Sequence, residues 1–379
     1  GSILARMLAV PGIQLVGSRM ISPSDAMVDD YLLQLDQNAA KGTEEDFKSA
    51  MSKFVDTELR GGAHSVDRGY PNRMMLMLFK GVGAQQKLVN VVGGHKPSSA
   101  AMGNTIRGAF GSASDTSFQP AVVAPLTPAC NTAYLRLFAK FAQEDGGVMS
   151  SWWEQNDGDG DGDGVMTPHE TGLLMIKPDN LERPSSLPGH IIDMITTTGL
   201  HLKGCKVFSM TPAMGEEFYG FLEGIFVKKL KGKVEKQLRT ALSPQYMNFE
   251  ITDGQFADLA DVLKESNAKN EVAEIMNYMT GIDPRTTQLT EEEKQLPGPA
   301  RCFGLLYSGE RAIEMIRTKL GNTNPDEAEV GSVRSDYGKD VMRNGAHASD
   351  AVDRAMVERQ IVGLVGDEQS EEVAIINKY

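Results

Sequence analysis

The chain has 379 residues, a formal net charge of −13 and 41% hydrophobic residues, with three cysteines and 20 methionines. This length suits two domains, each able to bury its own core, and the acidic balance argues against a nucleic-acid or anionic-membrane partner. No long uncharged apolar run is present, so no membrane span is expected; Cys130, Cys205 and Cys302 fit no metal or redox spacing and read as thiols of a reducing cytoplasm.

In chain order, "ILARML" is short and apolar, too short for a secretory signal. "GIQLVGSRMISPSDAMVDDYLL" (12–33) alternates as a strand and then opens a helix. Next come "MLFKGVGAQQKLVNVVGGHKP" (77–97), "GNTIRGAFG" (103–111) and "SFQPAVVAPLTPACN" (117–131). A Gly-Asp stretch, "NDGDGDGDGVMTPHE" (156–170), precedes an apolar strand at 171–179. "GLHLKGCKVFSMTPAMGEEFYG" (199–220) then aligns on 12–33 without a gap. Likewise "LLYSGERAIEMIRTKLGNTNP" (305–325) parallels 77–97, and "GSVRSDYG" (331–338) parallels 103–111. Self-similarity on this scale predicts two copies of one domain, not a short-period solenoid. Each copy carries an insertion, at about 38–73 and about 231–297; the second has helical apolar spacing over 253–279. The last helix is predicted from about Asp350 to Leu364, with Ser349 and Asp350 as N-cap residues.

Four strings of the second half stand in a fixed order. They are Lys177-Pro178-Asp179, Gly321-Asn322-Thr323-Asn324-Pro325, Gly331 through Tyr337 with Arg334 inside, and Asn344 through Asp350 with His347 inside. Together they resemble the nucleoside diphosphate kinase family; Val330 departs from it, standing where the family usually has proline. The resemblance implies an α/β (α+β) fold of two ferredoxin-like domains, each an antiparallel sheet with helices packed on it. It implies transfer of the γ-phosphate of a nucleoside triphosphate to a diphosphate by a ping-pong route through phospho-His347, with Mg²⁺ on the nucleotide and a possible homo-oligomer. Glu358 would support His347 and Tyr219 would hold its ring. Arg317, Thr323 and Arg334 would grip phosphates, Lys177 and Asn344 would contact phosphates and sugar, and Phe226 is the aromatic candidate beside the base. The chemistry is sound on its own terms: a neutral imidazole is a competent nucleophile near pH 7, and arginine's fork suits phosphate.

By the same alignment the first copy, residues 1–142, is degenerate. Leu32 replaces Tyr219, Val89 replaces Arg317 and His95 replaces Thr323; only Arg107 matches its counterpart, Arg334. The strand expected before "ILARML" is not in this sequence, which is either truncated there or takes the strand from elsewhere; the tail 371–379, "EEVAIINKY", is similar to 171–179. The tail is read either as a strand completing the first copy or as a plain extension. The linker, 143–170, contains Asp159, Asp161, Asp163, Val165 and Glu170 at positions 1, 3, 5, 7 and 12 of an EF-hand-like Ca²⁺ loop; the bland alternative is a flexible Gly-Asp linker. The catalytic copy spans 171–370. The alternative function is a calcium-responsive nucleotide-binding or scaffold protein without turnover.

Overall fold

The computed structural model describes residues 1–37, 45–60, 72–94, 103–113, 118–144, 147–148, 169–243, 247–366 and 375–376. They fall into two units, Gly1–Phe208 with Phe303–Tyr379, and Ser209–Cys302. The architecture is mixed, with helices on antiparallel sheet.

In the first unit the early elements are α1 (Ser2–Leu8), β1 (Ile13–Ile21), α2 (Asp25–Gln37), α3 (Glu45–Phe54), β2 (Met74–Gly81), α4 (Ala84–Val92), α5 (Ile106–Phe110), the short strands β3 (Ser112–Ala113) and β4 (Phe118–Gln119), and α6 (Pro128–Glu144). A π turn, Val55–Leu59, continues α3. β1 and β2 form an antiparallel pair with a bulge between Leu15 and Gly17. Tyr31, Phe47, Phe118, Tyr134 and Phe138 gather in an aromatic core between α2, α3 and α6.

The later elements of this unit are β5 (His169–Ile176), α7 (Leu187–Thr196), β6 (His201–Phe208) and, after the second unit, β7 (Cys302–Glu310). α12 (Ala312–Leu320), α13 (Val333–Tyr337), β8 (Ala346–Ala348) and α14 (Val352–Val362) complete it once the second unit's helices are counted as α8 to α11. The sheet order is β6-β7-β5-β8, so β5 lies inside and runs antiparallel to both β7 and β8. Leu173, Leu174, Met175 and Ile176 are all 0% exposed. A strand covered on both faces reads as a continuous apolar run instead of an alternation, which is why "LLMI" is unbroken. α12 and α14 pack against β5, and Gly172 leaves room for the Ile316 side chain.

The second unit is helical: α8 (Pro212–Tyr219), α9 (Leu222–Lys229), α10 (Lys231–Ala241) and α11 (Asp253–Thr280). α11 is the spine against which the other three pack. It starts at a capping box, in which Thr252 accepts from Gln255 N and Gln255 reaches back to Thr252 N. It ends at Gly281, whose φ of 76° suits glycine. Gly215 of α8 lies against the Met276 thioether, a contact that any Cβ would obstruct.

The insertion predicted at about 231–297 is therefore part of a larger unit: α8 and α9, with Tyr219 and Phe226, group with it. Most of the tail lies outside the described residues. Its two described residues, Ile375 and Ile376, are helical instead of extended, and Ile376 packs on Ala139 and Ala142 of α6. Among the described residues, no helix is long and apolar enough to cross a membrane.

Replacing Ile176 by alanine empties space at the centre of the four-stranded sheet. The expected loss is about 2–5 kcal/mol in chemical denaturation; a loss below about 1 kcal/mol would contradict the packing described.

Candidate functional site

The end of β5 and the loop before β8 are tied together first. Lys177 N donates to Gly345 O at 3.3 Å, and Asn180 Nδ2 donates to the same carbonyl at 3.1 Å. Gly345 has a φ of 87°, and a Cβ there would meet Val333 at 3.2 Å, so the turn needs glycine. Asn344 is 1% exposed. Its Oδ1 accepts from Lys177 Nζ at 2.7 Å, while its Nδ2 donates to Thr323 O at 2.9 Å and Val341 O at 3.0 Å. Lys177 Nζ also donates to Met342 O at 2.8 Å. One buried amide thus joins three of the expected site residues.

His347 follows on β8, opposite Met175 of β5. Its Nε2 lies 3.1 Å from Glu358 Oε2, and its side chain is 23% exposed against 3% for that of Glu358. Glu358 also accepts from Ser349 Oγ at 2.6 Å and from Arg354 Nε at 3.2 Å. Burial pushes this carboxyl up, but the bonds and charges of His347, Ser349 and Arg354 outweigh it and hold the group below its ordinary value. Ionised, Glu358 is an acceptor only, so the donor in this contact is His347 Nε2.

Ser349 is committed to this carboxylate and does not cap the helix. The N-cap is Ala351, without a side-chain bond, and α14 runs from Val352 to Val362, shorter at both ends than predicted. Ser349 and Arg354 were not singled out as site residues in the sequence. The signal for Arg354 was its place four residues before Glu358 on one helix face.

Arg334 sits on the short α13, whose N-cap Ser332 accepts from Ser335 N. Its guanidinium donates to Gly321 O at 2.9 Å and to Ala346 O at 3.2 Å, next to His347. Its Nε is buried without a hydrogen-bond partner among the described residues. Burial first, and the like charge of Arg317 second, push its pKa down to about 10. Arg317 is exposed in the last turn of α12. It lines an open cleft of about 680 Å³ together with Gly321, Asn322, Glu170 and Asp350, whereas His347, Lys177 and Asn344 do not line it. Thr323 is exposed, and its carbonyl is held by Asn344.

Tyr219 and Phe226 belong to the second unit. Tyr219 is 8% exposed and its ring centroid lies 4.7 Å from that of Phe218; Phe226 is half-buried on α9. Of the loop residues, Asp159, Asp161, Asp163 and Val165 lie outside the described residues. Glu170 lies within β5 opposite Gly309, and its Oε2 accepts from Ile313 N at 3.2 Å, capping α12. No group of three or more His, Cys, Asp or Glu is placed to hold a metal among the described residues.

In the first half of the chain, Arg107 is 2% exposed and donates to Gly93 O at 3.0 Å and Val122 O at 3.2 Å, with the Phe47 ring centroid 5.9 Å from its guanidinium carbon. Leu32 packs on the aromatic core and Val89 is half-buried on α4; His95 lies outside the described residues.

The comparisons with known proteins follow from this half of the chain. Residues 292–362 match the family model described as nucleoside diphosphate kinase. The chain is 28% identical over 189 residues to a nucleoside diphosphate kinase of Staphylococcus haemolyticus, covering 50% of this chain and 84% of that protein. It is 26% identical over 196 residues to one of Haloarcula marismortui, covering 52% and 86%. The solved nucleoside diphosphate kinase of Encephalitozoon cuniculi is 21% identical, with a TM-score of 0.33, covering 53% of this chain and 92% of that one.

The depressed Glu358 value has a pH consequence. A carboxyl whose folded pKa lies below its unfolded value, about 4.3, adds stability above that value and loses it as pH falls through the folded value. The urea midpoint of the native chain should therefore fall more steeply between about pH 5 and pH 3 than that of Glu358→Gln. Parallel profiles would show that Glu358 carries no such linkage.

Proposed function

We propose that the second copy is a nucleoside diphosphate kinase site in which His347 receives the γ-phosphoryl group of a nucleoside triphosphate and passes it to a nucleoside diphosphate. The observation that carries this reading is the His347–Glu358 pair, because a carboxylate accepting from Nε2 orients the imidazole and steadies it as a nucleophile. The Nδ1–phosphorus bond would form as the bond to the departing diphosphate breaks. Nε2–H stays on Glu358, whose charge steadies the imidazole as it gains positive character. The acceptor diphosphate then takes the group in the reverse displacement.

Phosphoryl transfer depends chiefly on positioning and on stabilising spread negative charge. Arg317 and Arg334 supply the positive charge. The Arg334 value, lowered by burial first and by the like charge of Arg317 second, would recover with an anion between the two groups. Lys177 and Asn344 would meet the phosphates and sugar, and Thr323 a phosphate oxygen. Mg²⁺ would arrive on the nucleotide phosphates and neutralise part of their charge.

The division into two copies supports the same reading. Gly93 and Gly321, equivalent by alignment, have φ values of 90° and 80°, and their carbonyls each accept from the equivalent arginines Arg107 and Arg334. The strand order with β5 inside supports ferredoxin-like architecture for the second copy. In the first copy Arg107 would be a structural relic of the phosphate grip. The Ca²⁺ loop is a separate proposal, supported only by its spacing. An ion that recruited Glu170 would compete with the α12 cap.

Steady-state exchange between nucleoside triphosphate and diphosphate tests the proposal. Parallel double-reciprocal lines are expected for the native chain, with no turnover for His347→Ala. Arg317→Ala, at an exposed position, should lower kcat/KM on the order of 10²-fold. A folded native chain that binds nucleotide without turnover would replace this reading with the binding-protein one.

A further inference from the structure

The ungapped alignment of 12–33 on 199–220 puts Ser18 and Cys205 at the same position of the two copies. In the folded chain these two residues touch each other. Ser18 Oγ lies 3.1 Å from Cys205 Sγ, and the residues are 1% and 2% exposed. A position that meets its own counterpart marks the axis of a two-fold, isologous interface; a heterologous contact pairs unlike surfaces.

The surrounding elements obey the same rule. β1 lies against β6 and α1 lies against α7, in each case an element against its own equivalent. α1 and α7 cross where Ala5 meets Gly189, so closely that any Cβ at Gly189 would collide with the Ala5 backbone. Ser2 N donates to Asp193 Oδ1 at 2.9 Å, and Ser185 N donates to Leu8 O at 3.0 Å. Leu4, Leu8 and Leu15 from the first copy share one buried cluster with Ile191, Ile195 and Val207 from the second.

We propose that the degenerate first copy is the built-in partner subunit of the second, filling within one chain the self-pairing face that two identical copies would share. This rests on the two-copy reading. Two observations favour a permanent partner over a passing contact: the cluster is apolar and fully buried, and the α1–α7 crossing admits no larger residue. Without the first copy, the α7 and β6 faces would leave a contiguous apolar patch in water, the signature of an unsatisfied interface. The degenerate copy keeps its packing face while losing its reactive residues, as selection for a partner role would leave it. The partner this surface fits is a second copy of the same domain, and the chain already supplies it.

The test is Ser18→Cys in the full chain. Diamide should remove two electrons and two protons from the thiol introduced at position 18 and the thiol of Cys205, and leave a disulfide between them. The expected product is an intrachain 18–205 link, identified by peptide mapping, formed at every protein concentration and absent when Cys205→Ser is added. Mixed isotopically light and heavy chains should give same-isotope links only. Mixed-isotope links, or no link in a folded protein, would overturn the proposal. If Ser18→Cys does not fold, Ala5→Arg serves: displacing α1 should free the second copy's face and raise the mass in light scattering above that of the native chain. A folded Ala5→Arg chain of unchanged mass would count against the proposal. Neither readout needs turnover, so this proposal and the kinase reading fail independently.

Discussion

The buried carboxylate of Glu358 is the constraint around which β8, the turn after it and α14 are arranged. A charge removed from water is tolerated only when it is paired and hydrogen-bonded. Glu358 meets that demand with an imidazole, a hydroxyl and a guanidinium drawn from β8, the turn after it and α14. Satisfying it fixes where α14 begins and which way the His347 ring faces. The loop ahead of β8 is then held from the other side, through Lys177, Asn180 and the carbonyl of Gly345. His347 is thus fixed between two sets of buried polar contacts while its ring stays reachable from solvent.

The scaffold that delivers these groups is the β5 strand. Because it lies inside the sheet, its C-terminal end places Lys177 beside the β8 loop, and its N-terminal end places Glu170 under α12. α12 in turn carries Arg317 toward Arg334. Burial first, and the like charge of Arg317 second, lower the Arg334 value. Arg334 Nε stays buried with no hydrogen-bond partner among the described residues.

Much of this was legible in the sequence, and what was not has physical causes. The apolar run at 171–176 and the alternating stretch at 12–21 gave their strands, because period and burial act locally. The pairing of His347 with Glu358 was visible as a family resemblance, although not from spacing. The start of α14 was misread, since a serine next to a helix looks like a cap until a buried carboxylate claims its hydroxyl. The grouping of α8 and α9 with residues 231–297 was not legible for a different reason. α8 and α9 group with the insertion through packing on α11, a long-range effect with no local signature. The contact of Ser18 with Cys205 could not be foreseen, because alignment identifies equivalent residues and says nothing of whether equivalents meet.

The central claim is that one histidine of one copy carries the phosphoryl group. Its most direct measurement is the intact mass of the native chain after brief exposure to a nucleoside triphosphate and Mg²⁺, followed by mapping under alkaline conditions. The expected result is a single phosphoryl group per chain, on the peptide containing His347 and discharged by any nucleoside diphosphate. A phosphoryl group on another peptide, or none on a chain that binds nucleotide, would contradict it.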